Sequence, residues 1–145
     1  MFSKEESAQI RKEFWTSFGK SFPRKWLLYN TKIKGFAFKF QADKKKAAVC
    51  LDIEHADEIA NELLYDQMLS LRVLLETEIP EIIFDEAYEL ESGKIIKRIH
   101  IPFDKKFSIH NKNTWRDCYE FYIENMEKLE LFFYEYEDFI KQAIN

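Results

Sequence analysis

The stretch Phe36-Ala37-Phe38-Lys39-Phe40-Gln41-Ala42-Asp43-Lys44-Lys45-Lys46-Ala47-Ala48-Val49-Cys50-Leu51-Asp52-Ile53 decides the fold. Phe36, Phe38 and Phe40 recur at every second position, and so do Val49, Leu51 and Ile53. A period of two belongs to a strand with one buried face. A turn closed at Asp43-Lys44 sets Phe38 opposite Val49 and Phe36 opposite Leu51. All the large apolar side chains then share one face, which fixes the register. The reverse face, built from Gly35, Ala37, Ala48 and Cys50, is small and weakly polar. Either another segment lies close on it or it forms a shallow groove.

Working outward, a second hairpin is expected across Ser92-Gly93. Phe84, Tyr88 and Leu90 face Ile95, Ile99 and Ile101 there, with Asp85, Glu89, Arg98 and His100 on a wet side. Three helices complete the chain. The first opens on a capping box, Ser3 with Glu6, carries Ile10, Phe14 and Phe18, and is expected to stop at Gly19. The second spans about Asp57 to Glu78 on a stripe of Ala60, Leu63, Leu64, Met68, Leu71, Leu74 and Leu75, limited by Pro80. The last carries Trp115, Tyr119, Tyr122, Met126, Leu129, Phe133, Tyr136 and Ile140 in alternating steps of four and three. Extended from Thr114 to Ala143, it measures about 45 Å. Arg24 to Tyr29 reads as a short extra strand. The expected fold is therefore α+β: an antiparallel sheet of two hairpins plus a short strand, packed on one face by three helices.

Composition sets the class. The 145 residues suit one domain spanning residues 1–145, and with only three Gly and three Pro there is no linker composition. No apolar run approaches the ~20 residues of a membrane span, so no membrane partner is expected. Cys50 and Cys118 stand far apart, as buried thiols of a cytoplasmic protein do. Net charge is −4 but uneven: residues 1–46 hold twelve Lys/Arg against four Asp/Glu, and the remainder ten against twenty-two.

Few constellations promise chemistry. Asp52 and Glu54 share a strand face, as in metal-dependent nucleases with paired acids, but no Lys stands two residues beyond either acid. His55, His100 and His110 lack a second ligand at metal spacing. There is no Gly-rich phosphate loop and no Gly-x-Ser-x-Gly element. Hence no catalytic residue, metal or cofactor is expected.

The blocks Glu13-Phe14-Trp15-Thr16-Ser17-Phe18-Gly19, Phe22-Pro23-Arg24-Lys25-Trp26 and Tyr29-Asn30-Thr31-Lys32-Ile33-Lys34-Gly35 resemble the start of domain-of-unknown-function family 4268. Val49-Cys50-Leu51-Asp52-Ile53-Glu54 and Ile109-His110-Asn111-Lys112-Asn113-Thr114-Trp115 are similar to later blocks of that family. The resemblance covers essentially the whole chain. It implies a bacterial cytoplasmic protein and a lean toward nucleic acid, since longer members place this domain behind nuclease-like or restriction-related segments. It brings no activity with it.

The leading expectation is a non-enzymatic binding module. Its nucleic-acid contacts would come from Arg11, Arg24, Lys25, Lys32, Lys34, Lys44, Lys45 and Lys46, with Trp26 as a stacking surface. The alternative is a self-associating protein, a homodimer through the long aromatic helix. A metal-dependent nuclease-like enzyme comes third.

Overall fold

Alternating phenylalanines and β-branched residues build the first hairpin, β1 (Phe36–Ala42) and β2 (Ala47–Ile53), in a computed structural model that describes residues 2–145. Phe36 pairs with Ile53, Phe38 with Leu51 and Phe40 with Val49, so the register is slid by two residues from the expected one. The turn explains the slip. Asp43 Oδ1 accepts from the amides of Lys45 (2.9 Å) and Lys46 (2.8 Å), which makes the turn four residues long, Asp43 to Lys46. A slip of two leaves every side chain on its expected face.

The second hairpin, β3 (Ile83–Glu89) and β4 (Ile95–Pro102), inserts β4 beside β2 and gives the antiparallel order β1-β2-β4-β3. Two corrections apply here. The connection runs over Leu90 to Lys94 rather than two residues, closed by Leu90 N–H donating to Lys94 O at 2.8 Å. A bulge between Asp85 and Tyr88 also puts Tyr88 opposite Ile96, on the face of Arg98 and His100 rather than of Ile99. Arg24 to Tyr29 forms no strand. Its neighbourhood touches the free edge of β1 through one bond, Phe38 N–H to Leu28 O at 3.1 Å.

The helices cover the apolar face. Helix α1 (Lys4–Ser21) begins at the expected capping box, with Glu6 N–H on Ser3 Oγ at 3.1 Å and Ser3 N–H on Glu6 Oε1 at 3.2 Å, and runs past Gly19. The expected second helix is two, α2 (Glu58–Ser70) and α3 (Arg72–Glu78). The Ser70 hydroxyl donates to Gln67 O at 2.6 Å, the kind of back-bond that bends helices, and Leu71 leaves helical geometry with ψ near 2°. Ala60, Leu64, Met68, Leu71 and Leu75 are buried, whereas Leu63 and Leu74 of the expected stripe face solvent.

Helix α4 (Trp115–Lys141) lies across the sheet. The Phe133 ring meets Phe36 and Phe38, each at 5.8 Å, and Tyr122 meets Phe40 at 4.8 Å. Phe14 of α1 packs edge-on against Trp115 at 5.2 Å. The polar tips of these aromatics are satisfied: Trp115 Nε1 donates to Ile109 O (3.0 Å), Tyr119 to Phe14 O (2.6 Å) and Tyr122 to Gln41 O. Off the seam, Cys118 and Phe132 are buried, and Phe121 and Ile123 pack partly against the core, so the chain itself covers most of the wide stripe.

Candidate functional site

The sheet face turned away from the helices is polar, and its centre is built by register. Asp52 of β2 stands between Ala37 of β1 and Arg98 of β4. Arg98 grips it in a fork, Nε on Oδ1 at 2.7 Å and Nη2 on Oδ2 at 2.9 Å. The short Ala37 leaves room for its strand neighbour Lys39, whose Nζ lies 3.2 Å from Asp52 Oδ2 and 3.3 Å from Glu54 Oε1. Lys94 reaches the other oxygen of Glu54 at 3.1 Å. Asp52 is 1% exposed and Arg98 5%. Charges so buried persist only when paired and hydrogen-bonded.

Protonation follows from these contacts. Burial opposes charge on Arg98 and Lys39, but the hydrogen bonds and attraction of Asp52 prevail and hold both above their ordinary values. Glu54 is held below its ordinary value, since Lys94 and Lys39 outweigh its burial. Burial pushes the Cys50 thiol up to about 12, which makes it a packed group and no nucleophile. His100 lies below its ordinary value through burial and then through Arg98, and its Nδ1 is buried with no hydrogen-bond partner among the described residues. Tyr88, brought round by the bulge, stacks its ring on the Arg98 guanidinium at 4.3 Å and meets His100 edge-on at 5.6 Å.

The small-residue face is covered over Ala48 and Cys50, while Gly35 and Ala37 are half-buried and line a hollow with Lys34, Lys39 and Glu54. At Gly35 (φ +71°), a Cβ would fall 2.5 Å from His55 Cα, so the Glu54-His55 backbone lies directly on it. Ala48 and Cys50 are buried between their longer cross-strand neighbours: Gln41 beside Ala48, and Lys39 and His100 beside Cys50. The paired acids of β2 are engaged by Arg98, Lys39 and Lys94. Among the described residues no group of three or more His, Cys, Asp or Glu is placed to hold a metal ion.

The basic residues separate into two sets. Arg24 pairs with Glu127 (3.1 Å) and Glu130 (3.3 Å) on α4 and lies over Trp26 at 4.1 Å. Trp26 is 9% exposed, with its ring edge-on to Phe40, so neither face is open for a base. Lys25 is exposed, and Lys32 and Lys34 stand on the bend before β1, where Lys34 shares a hollow with Tyr29. Arg11, Lys44, Lys45 and Lys46 gather elsewhere, at the end of the sheet. The Arg11 guanidinium donates to Ala42 O at 3.0 Å, which ties α1 to the β1–β2 turn. Ile109 N–H donates to Asp43 O at 3.1 Å, which brings the loop after β4 to the same turn.

That loop adds residues which sequence reasoning missed, Lys105, Lys106 and Lys112, while Lys12 and Lys20 of α1, already part of the basic N-terminal third, lie beside them. Three hollows run round this end. Arg11, Asp43 and Lys46 border one; Lys44, Lys45, Lys106 and Asn111 the next; Lys12, Lys20 and Lys112 the third. Chain neighbours face neighbouring hollows (Arg11 and Lys12, Lys45 and Lys46, Asn111 and Lys112), so the belt is continuous. Three of its acids are occupied, Asp43 by the turn amides, Glu13 by Lys112 at 2.8 Å and Asp117 by Lys105 at 3.8 Å, whereas Glu89 and Glu91 border the first hollow without an ion pair among the described residues. Arg11, Lys12, Lys44, Lys45, Lys46 and Lys106 make no ion pair among the described residues.

No helix of the described residues is long and apolar enough to cross a membrane. No curated protein and no solved structure matches the chain. Residues 10–137 match the family described as a domain of unknown function, DUF4268, a span that runs from α1 into α4 and takes in every strand. With that match over most of its length, the chain belongs to the DUF4268 family.

Proposed function

We propose that the chain is a non-enzymatic binding module for nucleic-acid backbones in a bacterial cytoplasm, and that the basic end formed by Arg11, Lys12, Lys44, Lys45, Lys46, Lys106 and Lys112 tracks the phosphates. The observation that carries this reading is the belt of cations round one end of the sheet, in which Arg11, Lys12, Lys44, Lys45, Lys46 and Lys106 make no ion pair among the described residues. Flexible, exposed lysines suit phosphate tracking, which gives affinity without sequence information. With Trp26 packed inside, the belt works by charge rather than by stacking. The acids that make the net charge negative stand largely elsewhere. Glu120, Glu124, Glu127 and Glu135 line the outer side of α4 and Glu86 lies on the second hairpin, whose Glu89 and Glu91, alone of these, border a hollow of the belt. The two thiols, free and buried, fit a reducing compartment.

Fluorescence anisotropy with labelled single- and double-stranded oligonucleotides over a salt series tests the proposal. Binding should weaken steeply with salt. Converting Lys44, Lys45 and Lys46 to Ala should lower affinity for every sequence alike. Every phosphate that these side chains no longer neutralise should flatten the log–log salt slope by about 0.7–0.9. No binding by the parent chain at low salt ends this reading.

A further inference from the structure

One hollow of the basic end differs from the other two. Between the β1–β2 turn and the tip of the second hairpin lies a cleft of about 670 Å³, within the range of small-ligand sites. Its borders carry opposite signs. Arg11, Lys46 and Arg98 line it, with Asp43 beside them taken up by the turn amides, and so do Glu89 and Glu91 of the hairpin tip, with Tyr88 next to those. Lysines along a surface are common; a fixed arginine set against two carboxylates is a more particular arrangement. Arg98 is immobilised by its fork on Asp52, which uses Nε and Nη2 and leaves Nη1 with no protein acceptor among the described residues. Lys39 braces Asp52 from the other side at 3.2 Å. Tyr88 reaches this face only through the bulge in β3, and bulges recur beside binding sites because they re-aim a side chain. Lys46 lies 3.5 Å from the Tyr88 hydroxyl, which joins the two sides of the cleft.

We infer that this cleft takes one nucleotide of a bound strand, with its phosphate against Arg11, Lys46 and Arg98 and the exocyclic amine of its base against Glu89 and Glu91. The ligand class rests on the nucleic-acid reading above; the bipolar chemistry rests on the cleft. A bare anion answers only the cations and leaves two carboxylates facing it. A nucleotide satisfies both walls, being anionic at one end and a hydrogen-bond donor at the other. Adenine and cytosine present an amine where thymine presents a carbonyl oxygen. A carboxylate accepts from the first and repels the second. The belt is therefore indifferent to sequence, while this cleft prefers an amine-bearing base.

The test compares oligodeoxyadenylate, oligodeoxycytidylate and oligodeoxythymidylate of equal length at one salt concentration, together with AMP and TMP as free mononucleotides. The parent chain should hold the first two oligomers about tenfold more tightly than the third. The Glu89→Gln, Glu91→Gln double variant changes two exposed side chains and should keep the fold. It should lose that preference while binding oligodeoxythymidylate at least as well, because negative charge has been removed. Equal affinity for all three oligomers, or a preference that survives in the double variant, overturns the cleft and leaves the belt standing. Binding of AMP over TMP without any oligomer binding keeps the cleft and removes the belt.

Discussion

Replacing Asp52 by Ala should be among the most damaging single changes to this fold. The carboxylate is 1% exposed, takes both forks of a guanidinium at 2.7 and 2.9 Å, and meets Lys39 at 3.2 Å. Its removal leaves Arg98, 5% exposed, charged and without its partner, with Lys39 free to approach as a like charge. Breaking a buried pair from one side costs about 3–5 kcal/mol, a large share of the roughly 5–15 kcal/mol that holds a domain together. With a urea dependence of about 2 kcal/mol per molar, the unfolding midpoint should fall by about 2 M. The double variant Asp52→Leu, Arg98→Met separates two explanations. If the damage comes from stranded charge, replacing both partners should restore most of the midpoint, since such exchanges are commonly neutral or stabilising. A single variant that costs under about 1 kcal/mol, or a double variant as unstable as the single, refutes the reasoning.

Two further outcomes are expected. Phe38→Ala removes a ring that is 1% exposed and packs on both Phe36 and Phe133; it should cost about 3–5 kcal/mol in urea unfolding, and a loss under about 1 kcal/mol would mean this face is not the core. His100 is held below its ordinary value by burial and Arg98, against the smaller pull of Asp85 and Asp52, so the unfolded chain takes up the proton first. Stability should therefore be intact above about pH 6.5 and fall as the pH drops through the folded value. His100→Gln should flatten that part of the curve of urea midpoint against pH, and an unchanged curve would contradict the assignment.

The core of the fold is legible in the sequence because parity survives small errors. The first hairpin pairs two residues away from the simplest turn, yet Phe36, Phe38, Val49, Leu51 and Ile53 still reach the core, since a slip of two cannot change faces. The bulge in β3 is different. Phe84 to Tyr88 contains no Gly or Pro to mark it, and one extra residue is enough to send Tyr88 to the other side. The break at Leu71 hides in a continuous apolar stripe, because a serine hydroxyl rather than a helix breaker causes it. Most of the basic end is legible in the N-terminal third, as Arg11, Lys12 and the run Lys44-Lys45-Lys46. The remainder, Lys106 and Lys112, joins it only when the loop after β4 bonds to the Asp43 carbonyl. Alternation assigns Arg98 and Asp52 to the strand face opposite the apolar core, and they stand there, but the expectation that this side is wet fails for them, since they are 5% and 1% exposed. Their burial comes from the neighbours that close over them, Tyr88 and Lys39, and no local pattern encodes that.

The polar sheet face is hard to explain by stability alone. An aspartate and an arginine buried side by side can often be exchanged for apolar residues at no loss, and the opposite face of this same sheet shows that the chain builds apolar packing readily. The helices all lie on that opposite face, and most of the α4 seam is used up there. A second copy of the chain therefore finds only Leu131, Tyr134 and the edge of Phe139 on this helix as large exposed apolar groups. What the polar face retains is orientation. Asp52 aims Arg98, Lys39 fixes Asp52, and the bulge sets Tyr88 over the guanidinium. A donor held in place by a network costs little further ordering when it meets a ligand, whereas the free lysines of the belt must be ordered at that moment. In the proposed reading the two halves of the basic end divide the work: exposed lysine charge for attraction, and a rigid arginine with two carboxylates for discrimination.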